Sequence, residues 1–193
     1  MQFKLMFCGF LILIIVLHEL AHFAAAIWCK CGVKTMSLGF GKPLVSKHWK
    51  GINWEIAPIL LGGFCQLQDE LVLTGDTASF SNLSFRKKAI ISLAGVTVNI
   101  VMGAICLLAS YHIHSEALWL FGYLSLALGI TNALPVAPCL DGGYVVYMPI
   151  LIKVYGKEKG YKVFESWVKK SFKVVMVLNI ISIPFLIWWL IKG

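Results

Sequence analysis

His18, Glu19 and His22 stand as His-Glu-Leu-Ala-His inside an apolar run that extends from Phe3 to Trp28. On a helix, residues four apart share a face, so the two imidazoles lie one turn apart and can bind a single zinc ion. The carboxylate beside the first of them is placed to act as general base on a water that such a metal activates. Lys4 is the only other charged residue in the run. Ionisable side chains in so apolar a segment are costly unless partnered, and a metal ion is the partner these three fit.

A third ligand is expected from Asp141, which precedes Gly142-Gly143. The stretch Asn132-Ala133-Leu134-Pro135-Val136-Ala137-Pro138 leads to it and cannot be regular helix, because two prolines remove donors and clash with the preceding turn. Broken backbone at membrane depth is tolerated where it is buried in protein or lines a cavity. Two histidines and one carboxylate leave a fourth position open, as catalytic zinc requires and structural zinc does not. Cys139 lies two residues before Asp141 and is an alternative ligand. Its thiolate would close the fourth position, so a hydrolytic site favours Asp141. The plainer alternative for Asp141 is a turn residue before Gly-Gly.

The elements that must position these groups follow from composition. Of 193 residues, 59% are hydrophobic and 13% charged, which excludes an ordinary soluble domain and indicates an integral membrane protein. Segments 3–28, 89–111, 117–138 and 174–191 are the candidate spans. The first carries the metal motif and has no small-residue cleavage site, so it is not expected to be a removable signal. Of the 17 basic residues, eight fall at 30–88 and seven at 153–173. By the positive-inside rule both segments are cytoplasmic and both termini are outside. The net charge of +8 then reflects topology and attraction to anionic lipid, and no nucleic-acid partner is expected. Six cysteines without secreted-type spacing are expected to be free thiols.

The cytoplasmic region 33–64 reads as a β-hairpin. Ile52-Asn53-Trp54-Glu55-Ile56 alternates as a half-exposed strand, and His48-Trp49-Lys50-Gly51 is a turn. The apolar stretch from Ile56 to Phe64, with Gly62-Gly63, is too short to span and reads as re-entrant or surface-lying. Residues 67–83 are a polar, mobile connector, and 153–173 an interfacial amphipathic helix. The fold class expected is a membrane all-α bundle of about four transmembrane helices with a small membrane-associated β-hairpin, forming one domain over 1–193. His22 is eight residues, or ~12 Å of helix, before Lys30. The histidines and the 132–141 loop therefore meet in the cytoplasmic half.

Taken in order, these residues resemble the site-2 protease family of intramembrane zinc metalloproteases. His18-Glu19-Leu20-Ala21-His22 resembles its first metal motif. Leu38-Gly39-Phe40-Gly41 and Ile59-Leu60-Leu61-Gly62-Gly63-Phe64 are similar to its membrane-associated β region and Gly-Gly loop. Ala94-Gly95 with Asn99 resembles its A-G-P-x-x-N segment, with Val96 in place of the proline. Asn132-Ala133-Leu134-Pro135 with Leu140-Asp141-Gly142-Gly143 resembles its N-x-x-P…L-D-G-G motif, one residue longer between Asn132 and Asp141. The family resembled is that of the small bacterial, sporulation-type members, without a PDZ-like or nucleotide-binding domain.

The resemblance implies an integral, multi-pass enzyme of a bacterial cell membrane with its site toward the cytoplasm, holding one Zn2+ per chain. It implies cleavage of a peptide bond in or near a membrane-spanning segment of another protein. His18, His22 and Asp141 would hold the metal, Glu19 would be the base, and Asn132 would contact substrate or the developing oxyanion. Ile52, Trp54 and Ile56 would present an edge strand to substrate, beside Gly62 and Gly63. Partners would be the membrane-protein substrate, the bilayer, and a regulatory membrane protein or further copies of the chain. The competing reading is a membrane metal transporter or sensor with the same ligands and no hydrolysis. Glu19 separates the two, since transport needs no general base.

Overall fold

The computed structural model describes residues 2–70 and 78–192. Helix α1 (Gln2–Trp28) carries the paired histidines. It ends in a double cap: Lys30 takes a left-handed φ of 60°, its N–H reaches the Ile27 carbonyl at 3.0 Å, and that of Cys31 reaches the Ala26 carbonyl at 2.8 Å. That pattern satisfies the last carbonyls and turns the chain sharply out of the helix.

Four strands follow: β1 (Val33–Phe40), β2 (Val45–Trp49), β3 (Ile52–Ile56) and β4 (Ile59–Leu67). They form one sheet in the order β2-β3-β1-β4. β2 and β3 are the expected hairpin, closed by Lys50-Gly51 with φ of 51° and 78°. Positive φ at both positions matches the right-handed twist of the flanking strands. The sheet corrects two expectations. The stretch assigned to a re-entrant segment is strand β4, antiparallel to β1. A short apolar run does not distinguish a buried strand from other apolar segments. In addition, β3 pairs with β2 on one side and, in parallel, with β1 on the other. Its ladder is filled on both sides, so Ile52, Trp54 and Ile56 do not form an edge strand. The sheet's edges are β2 and β4.

After a 3-10 turn at Phe80–Asn82, helix α2 (Phe85–Ile113) runs antiparallel to α3 (Glu116–Ala133). The two touch backbone to backbone. A Cβ on Gly103 would stand 2.9 Å from the Gly122 carbonyl oxygen, and a Cβ on Gly122 equally close to that of Gly103. Small residues permit such close approach between apolar helices. α3 stops at Ala133 because Pro135 forces Leu134 into extended backbone, with φ −72° and ψ 132°. Helix α4 (Asp141–Tyr155) restarts the chain, and α5 (Lys157–Lys192) packs back on it.

Two described helices, Phe3–Trp28 and Phe85–Ile113, are long and apolar enough to cross a membrane. The third expected span yields α3, whose 18 residues cover ~27 Å, short of a ~30 Å hydrocarbon core. The expected interfacial helix at 153–173 and span at 174–191 are not separate elements: 153–155 end α4, and α5 runs unbroken from Lys157 through the rest of both. The side chains of 179–192 lie outside the described residues, as does 71–77 of the expected mobile connector. The buried core gathers Ala26 of α1, Val33 and Leu67 of the sheet, Ile91 of α2, Tyr144 and Met148 of α4, and Tyr161 and Phe164 of α5. Each large side chain among them contributes about 1.5–3 kcal/mol on burial, so five elements hold the site's scaffold together.

Candidate metal centre

One stripe of α2 faces the histidines of α1. Ile91, Gly95 and Asn99 follow at spacings of four residues, and each meets the site. The Ile91 carbonyl accepts a hydrogen bond from His22 Nδ1 at 2.7 Å. That contact fixes the proton on Nδ1 and leaves Nε2 with its lone pair. Gly95 passes where no side chain could. A Cβ there would stand 2.5 Å from His22 Nε2 and 2.6 Å from His18 Cε1. Asn99 is fully buried, with its side-chain amide 3.0 Å from His18 Nδ1 and its own carbonyl held by Ser125 of α3 at 2.9 Å. With Nδ2 on the ring, Asn99 Oδ1 has no partner. A half-turn of the amide puts Oδ1 on His18 Nδ1–H and leaves His18 Nε2 as an acceptor too.

Asp141 completes the cluster from the first turn of α4. Its Oδ2 lies 3.1 Å from His18 Nε2 and 3.4 Å from His22 Nε2, and the two ring nitrogens are 3.1 Å apart. Gly142 and Gly143 allow this placement, since a Cβ on either would overlap the backbone carbonyls of Ala133 and Ala137. Three acceptor atoms thus converge at nearly equal separations, and Asp141 Oδ2 is buried without a hydrogen-bond donor. Four bonds of tetrahedral zinc, at 2.0–2.1 Å, separate their ligand atoms by about 3.3 Å. The donor set and its spacing fit that ion. Among the described residues this is the one group of three such ligands; Cys139 does not join it.

Glu19 stands beside the group without belonging to it, 9% exposed. Strand β4 crosses it closely: a Cβ on Gly63 would be 3.0 Å from Glu19 Cγ and 2.7 Å from the Ser37 carbonyl oxygen. Gly62 is likewise closed against the Phe40 ring. Gly63 therefore serves close approach of β4 to the site, and Gly62 its close packing on β1. Asn132 lies in the last turn of α3, half-buried, next to the Ala133 backbone that packs on Gly142, and its side chain makes no hydrogen bond among the described residues. Of the β3 residues, Trp54 reaches α1 through its ring, 5.5 Å from that of Phe23.

Sequence reasoning missed Glu70, just past β4. Burial pushes its carboxyl up to about 7, with His22 and Asp141 close enough to act on its charge. Nothing in the local pattern of Gln68-Asp69-Glu70 marks it, because its position depends on the sheet. Burial also pushes the Cys65 thiol up to about 12 and that of Cys31 to about 11, and neither belongs to the ligand group.

Residues 6–116 match Peptidase family M50. Among curated proteins, the chain is 37% identical over 94 residues to a protein of Campylobacter jejuni named "Putative zinc metalloprotease", covering 46% of this chain and 26% of that protein. It is 34% identical over 97 residues to a Synechocystis protein of the same description, covering 48% and 26%. A third relative, "Metalloprotease MmpA" of Caulobacter vibrioides, is 40% identical over 52 residues, covering 26% and 13%. The match thus spans about a quarter of the length of these relatives, or less.

Proposed function

The chain belongs to Peptidase family M50, and from that premise we propose that it is a membrane-embedded zinc endopeptidase that cuts a membrane-spanning or membrane-proximal segment of another protein. The observation that carries this reading is the convergence of His18 Nε2, His22 Nε2 and Asp141 Oδ2, at 3.1–3.4 Å from one another, beside a carboxylate that is not one of the ligands. Zinc held by these three residues would supply a Lewis acid for water and for the scissile carbonyl.

The chain's own groups do the rest. Glu19 takes a proton from the attacking water as its oxygen adds to the carbonyl carbon. The same carboxyl then delivers that proton to the departing nitrogen as the C–N bond breaks. Ile91 and Asn99 hold the two imidazoles in orientation, so no reorganisation is needed during the reaction. Asn132, at the loop that carries Asp141, contacts the substrate backbone or the oxyanion. Substrate is received in extended form at the edge of β4, not at β3, with Gly62 and Gly63 keeping that edge clear beside Glu19. The basic segments at 30–88 and 153–173 support a site that faces the cytoplasm. A transporter or sensor would use the same ligands but has no role for Glu19.

Co-expression with single-span membrane proteins tests the proposal. A product should appear with the wild-type chain and disappear with Glu19→Gln, which retains the metal ligands. Cleavage of a genuine substrate by Glu19→Gln at near the wild-type rate would rule out the mechanism.

A further inference from the structure

Lys88 lies near the start of α2 in the sequence Arg86-Lys87-Lys88, yet only 7% of it is exposed. Among the described residues it has no carboxylate partner. Its ammonium donates to the Ser81 carbonyl at 2.8 Å and to the Tyr161 hydroxyl, and Tyr161 in turn donates to the same Ser81 carbonyl at 3.2 Å. The ammonium also lies over the Tyr161 ring at 5.2 Å and the Phe80 ring at 5.9 Å. A buried amine is costly to desolvate, and an apolar side chain of similar length would fill the same space more cheaply. Its retention as a cation therefore needs a reason other than packing.

That reason lies in what the contacts join. Ser81 and Phe80 belong to the 3-10 turn before α2, and Tyr161 and Phe164 belong to α5. Between the turn and α5 sits the Tyr144 ring, edge-on to Phe80 at 5.1 Å and to Phe164 at 5.3 Å, and buried to 6% exposure. Tyr144 is three residues after Asp141, on the next turn of α4. Lys88 thus clamps both walls of the socket that seats the helix turn following Asp141. The opposite side of the same turn is already fixed by the Gly142 and Gly143 contacts with the 133–138 loop.

We propose that Lys88 and Tyr161 are positioning residues for Asp141, acting through the Phe80–Tyr144–Phe164 socket to hold its carboxylate at the distance the two histidines require. The inference rests on Asp141 being a metal ligand. The Tyr144 ring transmits the constraint; its buried hydroxyl lies beside that of Tyr161 but outside good hydrogen-bond geometry.

The test is the zinc dissociation constant of the full chain in detergent, measured by competition with a chelating indicator. Alongside it, thermal unfolding of the metal-free protein is recorded. Lys88→Met and Tyr161→Phe should each weaken zinc binding roughly tenfold, the scale of supporting-residue effects at metal sites. The melting temperature of Lys88→Met should not fall, because a desolvated charge is removed. Tyr144→Phe should bind zinc as the wild type does, and Tyr144→Ala should match Lys88→Met. Wild-type zinc affinity in both Lys88→Met and Tyr161→Phe would overturn the proposal, as would a lower melting temperature with affinity unmoved. Should Lys88→Met fail to fold, Tyr161→Phe decides alone. Wild-type zinc affinity in Asp141→Ala would instead refute the ligand assignment, which separates the two failures.

Discussion

Lys88 and Asn99 lie three turns apart on α2, both buried, and their surroundings answer them in opposite ways. Around Lys88 the protein supplies its own acceptors, the Ser81 carbonyl and the Tyr161 hydroxyl. Around Asn99 it supplies acceptors without a donor, because His18 Nε2, His22 Nε2 and Asp141 Oδ2 face one another across 3.1–3.4 Å. A buried charge that is satisfied needs nothing further, whereas converging acceptors need a cation. The first region is built to hold position and the second to hold a metal.

The comparison breaks most visibly if the open cluster loses a ligand. His18→Ala or Asp141→Ala should reduce zinc from ~1 per chain to near none after gel filtration, by atomic absorption. Next in size is the effect of Glu19→Gln, which should keep the metal and lower cleavage at least ~100-fold. Gly95→Ala sharpens the contrast without replacing a ligand. Its methyl would stand 2.5 Å from His22 Nε2, so zinc affinity should fall ~10–100-fold. The matched change at the bare helix contact, Gly103→Ala, should cost stability of about 1–3 kcal/mol with zinc affinity unmoved.

The smallest effect is a pH dependence at the edge of the site. The Glu70 carboxyl stands at about 7 in the fold against an ordinary 4.5, raised by burial. The folded chain therefore binds this proton more tightly than the unfolded chain, and stability declines as pH rises from 4.5 through 7. Glu70→Gln should raise the melting temperature of the metal-free protein at about pH 8 and leave it unchanged near pH 4. An identical pH profile in both proteins would refute the raised Glu70 carboxyl.

The parts legible in the sequence are those that depend on local spacing. His18, Glu19 and His22 share one helix, and Asp141 is marked by the Gly142-Gly143 pair that lets its turn approach Ala133 and Ala137. The β2–β3 hairpin is equally local, set by Lys50-Gly51. What depends on long-range pairing was not legible. Alternation at Ile52–Ile56 indicates a strand but not its neighbours, so the parallel pairing with β1 that makes β3 interior could not be read. Ile59–Leu67 is apolar without alternation around Gly62-Gly63, and its strand character appears only in its pairing with β1. Lys88 sits in a basic triplet that reads as a solvated topology signal, and only the packing of Tyr161 against it reveals a buried group. The lysine-rich and apolar halves of α5 differ in composition, yet no glycine or proline stands between Tyr161 and Ile183 to divide the helix.

The central claim, that His18, His22 and Asp141 hold the metal with the fourth position left open, is tested most directly by X-ray absorption at the zinc edge of the purified Glu19→Gln chain. The expected shell is nitrogen and oxygen only, at about 2.0–2.2 Å, with imidazole scattering from two rings. A sulfur scatterer at about 2.3 Å would place Cys139 in the shell, close the site, and contradict the account.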